Sequence, residues 1–468
     1  MKKRWMALLP VLWLFACKKD ISNALNPSVN VIPVTVTLDQ TKPGFTISPT
    51  FEGLSFETAI LCRNAEYLNV NNKVFVQLVK NLGPGLLRIG GNTSDEIDWK
   101  SPLSSKSTDL LSEPGIDRLA EFSKETGWKV LLGLNMGSNQ LQAATDEAVY
   151  ANTALGDNLY ALQAGNEPDI YSMFGLRMPT YGVADYTGEW EKYFYSLRAV
   201  LPQAAFAGPG VSNHVDWVTR FADAESLNLK LIDAHYYYTG PASSSAITYY
   251  NLLQPGLLPN YLSTLRLASE KSGLPYRITE CNNVYGGGKG GVSNVFVSAL
   301  WALDFMWIVA ENNGQGINFH DGHGLYYSPI TMAAGNVVAH PEYYAMLAFK
   351  YGNNNGKIIP AILRSAADNN CQAYACINAD NTTSLTLINK EETNAISYTV
   401  KLNKAATNAT IMRLTAPSLT SKDNVTFGGS MVNADGTFAP NAGEQQLIVN
   451  YSFTVKVPAG SAAVITIR

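Results

Sequence analysis

The sequence predicts a (β/α)8 barrel followed by an antiparallel β-sandwich that also takes in a strand from the N-terminal end. Three observations predict this. Eight short apolar segments recur between residues 50 and 322, with helix-like stretches between them. No glycine-rich dinucleotide turn follows the first segment, which counts against a doubly wound open sheet. From about residue 355 the continuous apolar runs give way to strict apolar/polar alternation broken by turn residues.

The eight segments are TFEGLSFE (50–57), GLLRIGGN (85–92), KVLLGLNM (129–136), LYALQAGNE (159–167), AAFAGPG (204–210), LKLIDAHYYY (229–238), PYRITECNN (275–283) and GINFHDG (316–322). Most are apolar throughout and end on polar or glycine residues, as parallel strands buried on both faces should. GIDRLAEFSKETG (115–127) and VADYTGEWEKYFYSLRAVL (183–201) are representative intervening helices. VFVSALWALDFMWIVA (295–310) is apolar on nearly every side but is 16 residues long and contains Asp304, so it reads as a buried barrel helix rather than a membrane span. In the C-terminal part, TTSLTLINK, AISYTVKLN, LIVNYSFTVKVP and AAVITIR alternate, and VNVIPVTVTLD (29–39) alternates in the same way. The expected organisation is a leader at 1–17, a tether at 18–30, a strand at 31–48 joining the sandwich, a barrel at 49–350 and the sandwich at 351–468.

The leader carries Lys2, Lys3 and Arg4 before the apolar WMALLPVLWLFA (5–16), too short to span a bilayer, which needs about 20 residues. It ends LFAC, and Cys17 after Ala16 resembles the lipidated cysteine of a bacterial lipobox. A plain signal peptide cut nearby is the alternative. The reading is an exported bacterial lipoprotein, held to a membrane in the periplasm or at the cell surface only through its N-terminal lipid. Removing residues 1–16 takes away three basic residues and no acidic ones, leaving 31 Lys+Arg against 38 Asp+Glu, a balance of −7. That argues against a nucleic-acid partner and mildly against a long polyanion. Oligomeric state is not legible.

Cys62, Cys281, Cys371 and Cys376 form no dense framework. Cys371 and Cys376 share one strand-like stretch, about 16 Å apart on opposite faces, too far to bridge. GGGKGG (286–291) lacks the Ser or Thr after its lysine and the strand-to-helix context of a phosphate loop. His320 and His323 (HDGH) lack a third ligand and the helical context of zinc motifs. No G-x-S-x-G nucleophile elbow surrounds a plausible serine. No metal or other cofactor is expected.

Barrel enzymes place their chemistry at the C-terminal ends of the strands. Acids occupy three such ends: Glu57 on the first, Glu167 on the fourth and Glu280 on the seventh. The fourth and seventh strands lie across the ring, so Glu167 and Glu280 would face each other over the mouth. Two carboxylates over one pocket suit glycoside hydrolysis, with one protonating the leaving oxygen while the other stays charged.

Asn-Glu-Pro at 166–168 and the lone Glu280 of ITECNN resemble the retaining glycosidases of clan A. LRIGGN, QAGNEPD, DAHYYY and ITECNN followed by VYGGG, with a β-domain built from both chain ends, resemble glycoside hydrolase family 79, the β-glucuronidase and heparanase-like family. The resemblance runs from about residue 30 to 468. It implies Glu167 as acid/base and Glu280 as nucleophile. Asn166 would donate to the sugar 2-hydroxyl, although a local turn bond would place it similarly.

Arg88 and Tyr236 are the candidate donors that keep Glu280 ionised. A structural ion pair is the alternative for Arg88 and core packing the alternative for Tyr236. Alternation puts Tyr236 opposite His235 and Tyr237 without saying which face is inward, and Tyr236 is chosen on the resemblance. Tyr285, Gly286 and Gly287 resemble the family's carboxylate-binding loop, with Tyr326 and Tyr327 added from the eighth loop. Lys289 would be an extra counter-charge or merely solvated. Glu57, Asn92 and Asp98 would bind sugar hydroxyls on the opposite wall, and Asp95 competes with Asp98 for that place.

The resemblance therefore implies a retaining exo-β-glucuronidase. The rivals are the same machinery on a neutral sugar (β-glucosidase, xylosidase or arabinofuranosidase), an endo-acting glycosaminoglycan cleaver, and an inactive glycan-binding lipoprotein.

Overall fold

The computed structural model describes residues 30–100, 110–333, 335–366 and 368–468. The leader and the proposed lipidation site Cys17 lie outside them. The eight expected strands close into one parallel barrel, in sequence order around the ring. They are Gly53–Glu57, Leu86–Gly90, Lys129–Leu134, Leu159–Ala164, Phe206–Val211, Leu231–Thr239, Tyr276–Val284 and Ile317–His320.

The barrel interior is built in layers by side-chain alternation. Leu86, Leu131, Ala161, Ala207 and Leu231 make an apolar floor. Two residues further along these strands the interior turns polar. Arg88 Nε donates to Gln163 Oε1 at 3.2 Å, and Gln163 Nε2 donates to Asp233 Oδ2 at 2.5 Å. Thr279 Oγ1 donates to the same Asp233 oxygen at 2.8 Å. Each buried polar atom here is matched by another, which is what makes a polar layer tolerable inside a barrel. The next layer up holds the strand-end residues.

The β-sandwich pairs a four-stranded sheet with a larger one. The four-stranded sheet runs Ala361–Ser365, Val31–Leu38, Ala395–Lys401, Ser452–Val457. Val34, Val36 and Leu38 face the sandwich core with Ile396, Tyr398, Val400, Val455 and Val457. The N-terminal strand pairs antiparallel with Ala361–Ser365 but parallel with Ala395–Lys401, a departure from the all-antiparallel expectation. A strand arriving from the far end of the chain is not constrained by a hairpin, so either direction is open to it.

Two helices, Val297–Glu311 and Pro341–Asn353, are buried along almost their whole length. The second packs against the larger sheet of the sandwich. Asp304 of the first accepts from Lys390 Nζ at 2.5 Å and Tyr374 Oη at 2.6 Å, both from the sandwich. The acid that interrupts the apolar helix is thus a buried tie between barrel and sandwich. No described helix is long and apolar enough to cross a membrane. Cys281, Cys371 and Cys376 are buried free thiols.

Candidate active site

Two local irregularities aim the strand-end acids. Along strand seven the register with strand six slips between Ile278 and Glu280, leaving Thr279 as an extra residue. Thr279 and Glu280 consequently both reach interior partners, which simple alternation forbids and a bulge permits. A second slip leaves Gly210 extra in strand five. Gly210 has φ +62°, and a Cβ there would sit 2.6 Å from Gln163 Nε2. Its carbonyl accepts from Glu167 N at 2.9 Å, while its N–H donates to Asp233 Oδ1 at 3.1 Å. Glu167 itself sits in the left-handed region at φ 50°, a conformation costly for a residue with a side chain and one that gathers at functional sites.

Glu280 is held by cationic and hydroxyl donors. Arg88 Nη1 donates to its Oε2 at 2.7 Å and Tyr237 Oη to its Oε1 at 2.8 Å, while His320 Nδ1 lies 3.6 Å from Oε2. Burial alone would push this carboxyl up. The neighbouring His320 and His235, the Arg88 charge and the Tyr237 hydroxyl outweigh burial and hold it below the ordinary carboxylate range.

Glu167 has a different neighbour. His235 Nδ1 lies 2.9 Å from its Oε1, and His235 Nε2 lies 3.4 Å from Arg88 Nη2. Arg88 can only donate, so a neutral His235 presents its lone pair on Nε2 and its proton on Nδ1, toward Glu167. Arg88 Nη2 also donates to Asn166 Oδ1 at 2.6 Å. One guanidinium therefore links Glu280 to Asn166, the residue before Glu167.

Glu167, His235 and Glu280 each place one ligand-type atom within 4.8 Å of the others. Such a cluster could attract a cation by geometry alone, but Arg88 already occupies Glu280 and adds positive charge beneath it.

Glu57, Asn92, Glu167, Tyr236, Glu280, Tyr285, Gly286 and Tyr327 line one cavity of about 960 Å3, with Gly287 and His320 in the same wall. Arg88 and Asn166 are buried at its floor. Glu57 Oε2 accepts from Thr93 N at 2.9 Å and Thr93 Oγ1 at 2.6 Å. Gly91 lies against it, and a Cβ there would be 2.4 Å from the Glu57 carboxyl. Asn92 Oδ1 accepts from Asn166 Nδ2 at 3.1 Å.

Several expectations are corrected. Tyr237, not Tyr236, donates to Glu280. Strand six turns Leu231, Asp233, His235 and Tyr237 inward, whereas the Tyr236 ring packs on Tyr261 and Phe305, 4.9 and 6.0 Å between centroids. Asp98 is buried away from the cavity, in the two-residue strand Asp98–Trp99, and accepts from Asn135 Nδ2. Its competitor Asp95 is also buried and takes four donors, from Met136 N, Gly137 N, Asn166 N and Tyr171 Oη. Asp95 is a strut that positions Asn166. Tyr326 points to solvent and lies against Gly290, and only its backbone serves the site, donating to Gly287 O at 2.7 Å. Lys289 is half-buried and tied to a neighbouring loop rather than standing as a counter-charge in the cavity wall. Its Nζ donates to Ser244 O and Ile247 O at 2.6 and 2.8 Å.

Tyr237, His235 and His320 were missed as site residues. Alternation from Asp233, a polar residue that a buried strand must point at a partner, would have marked His235 and Tyr237.

The fold and the paired acids suit a glycoside hydrolase built on a (β/α)8 barrel with an appended β-sandwich, acting on carbohydrate. Residues 373–464 match the glycosyl hydrolase family 79 C-terminal beta domain. A β-glucuronidase of Aspergillus niger is 26% identical over 86% of this chain and 80% of its own, and one of Neurospora crassa is 25% identical over 87% and 82%. The crystal structure of a 4-O-α-L-rhamnosyl-β-D-glucuronidase from Fusarium oxysporum superposes with a TM-score of 0.75 at 18% identity, covering 93% of this chain and all of that one. These likenesses support a place for the chain in glycoside hydrolase family 79, within clan A.

These relatives correct the expected location. The two relatives that align over 86% and 87% of the chain are fungal β-glucuronidases rather than bacterial lipoproteins, so the assignment to a lipid-anchored bacterial protein is withdrawn.

Proposed function

We propose that the protein is a retaining exo-β-glucuronidase that removes terminal β-linked glucuronic acid by double displacement. The observation that carries it is the pair of acids: a Glu167 oxygen and a Glu280 oxygen lie within 4.8 Å, in opposite surroundings. Retaining enzymes hold their carboxyls about 5–5.5 Å apart and inverting enzymes about 6.5–9.5 Å, leaving room for a water.

Glu280, kept ionised by Arg88 and Tyr237, attacks the anomeric carbon. Glu167 gives a proton to the leaving oxygen and then takes one from water as the glycosyl–Glu280 ester is hydrolysed. His235 donates to Glu167 Oε1, which leaves Oε2 to carry the transferred proton. Asn166 has one amide arm on Asn92 and keeps an N–H for the 2-hydroxyl. Glu57 and Asn92 serve further hydroxyls.

The glucuronate assignment is supported by the named activities of the relatives and by the wall at Tyr285. Tyr285 there offers a phenol, and Gly286 and Gly287, at φ +85° and +88°, bring backbone close to the cavity. A panel of 4-nitrophenyl glycosides tests the reading. Release from the β-glucuronide, lost in Glu280→Ala, is expected. Release from a neutral glycoside in its place would leave the two acids their roles and remove the one given to Tyr285.

A further inference from the structure

The loop that leaves Glu167 carries Ile170, Met173 and Phe174 into the wall of the same cavity. Met173 is 75% exposed and Phe174 55%. Neighbouring apolar side chains held out at a cavity mouth do nothing for folding and mark a contact surface.

Their backbone is held by its own hydrogen bonds. Ile170 N donates to Glu167 O at 3.0 Å, Met173 N to Ile170 O at 2.9 Å, and both Phe174 N and Leu176 N to Tyr171 O at 3.2 and 3.0 Å. Tyr171 is buried and anchored to Asp95. The turn that displays Met173 and Phe174 therefore starts at the acid itself.

The position matters because of what Glu167 protonates. Its proton goes to the oxygen that departs with the leaving group, so the leaving group sits beside Glu167 and against whatever surrounds it. Here that is Ile170, Met173 and Phe174, with Ser212 and Asn213 beyond. Among the described residues of the cavity wall, Arg63 is the one lysine or arginine. A sulfated or otherwise polyanionic leaving group would need several such cations. A flat aromatic group needs a ring to stack on and a soft, adaptable sulfur, which Phe174 and Met173 provide.

We propose that Met173 and Phe174 form the leaving-group subsite and select apolar, aromatic aglycones. This rests on the glucuronidase reading above. The test compares inhibition by two uncleavable analogues, 2-naphthyl and methyl 1-thio-β-D-glucuronide. Wild type should bind the naphthyl compound more tightly. The double variant Met173→Ser/Phe174→Ser should lose roughly tenfold of that preference, the size of about 1.4 kcal/mol of ring contact, with the methyl Ki unchanged. Met173→Leu/Phe174→Leu should keep most of it.

Equal Ki values for the two compounds in wild type, or parallel changes in both Ki values in the double variant, would overturn the subsite. If neither compound binds, the sugar assignment fails instead. The same naphthyl and methyl pair, built on whichever sugar the glycoside panel identifies, then reads the subsite by the same two criteria.

Discussion

Arg88 and Glu280 form a 2.7 Å ion pair at the floor of the cavity, with the guanidinium fully buried and the carboxylate nearly so. The same guanidinium reaches Gln163, Asn166 and His235, so it fixes the geometry of both acids. Removing it leaves a buried carboxylate without its permanent counter-charge. Arg88→Met should cost about 3–5 kcal/mol of stability, read as a fall in Tm. Arg88→Lys keeps the charge but cannot span Glu280 and Asn166 together. It should recover more stability than activity.

Tyr237 and Tyr236 separate a site role from a packing role. Tyr237→Phe removes a donor to ionised Glu280, so the Glu280 pKa should rise. Activity requires that carboxylate charged, so the acid limb of kcat/KM should move to higher pH, with a rate loss of about tenfold to a hundredfold, as expected for a charge-assisted hydrogen bond of about 1.5–3 kcal/mol. Tyr236→Phe should leave the limb in place. A pH–rate profile of each variant decides it.

Glu167→Ala should discriminate by leaving group. A glucuronide of an alkyl alcohol needs the proton and should lose about 10²–10⁴-fold in kcat/KM, which reports the first step alone. A 4-nitrophenolate leaves without help, so its first step should be much less affected. Equal losses on both substrates would mean that Glu167 is not the proton donor.

Glu147 gives a pH dependence separate from catalysis. It is buried in the helix Leu141–Leu155, its Oε1 has no hydrogen-bond partner among the described residues, and burial pushes its carboxyl up to about 8. The folded state then binds a proton that the unfolded state releases near pH 4.5. This contribution to stability is fully present below about pH 4.5 and is lost as pH rises toward 8. Glu147→Gln needs no proton to stay neutral. Its Tm should fall less than that of wild type between pH 5 and pH 8, with unchanged kcat/KM.

The barrel was legible because parallel strands covered on both faces must be apolar without a break, and eight such runs stand out from the amphipathic helices between them. The strand-end acids were legible for the complementary reason, since Glu57, Glu167 and Glu280 interrupt apolar runs where burial would otherwise exclude them. What stayed hidden depends on geometry that composition does not carry. Three consecutive tyrosines at 236–238 offer no polarity contrast to show which faces inward. The slip at Thr279 that turns Glu280 inward leaves no mark in ITECNN. Asp95 and Asp98 lie three residues apart in a loop, and only the donors of the neighbouring loops show that both turn into the protein. The parallel pairing of Val31–Leu38 is a long-range choice that no local turn encodes.

The central claim is that Glu280 attacks a glucuronide, and trapping the covalent intermediate tests it most directly. A 2-fluoro-glucuronide with a 2,4-dinitrophenolate leaving group should inactivate the enzyme in step with release of one equivalent of phenolate. Mass spectrometry should then find one fluoroglucuronosyl group on the peptide containing Glu280. A label on any other residue, or steady hydrolysis of 4-nitrophenyl β-glucuronide with no label at all, would contradict the account.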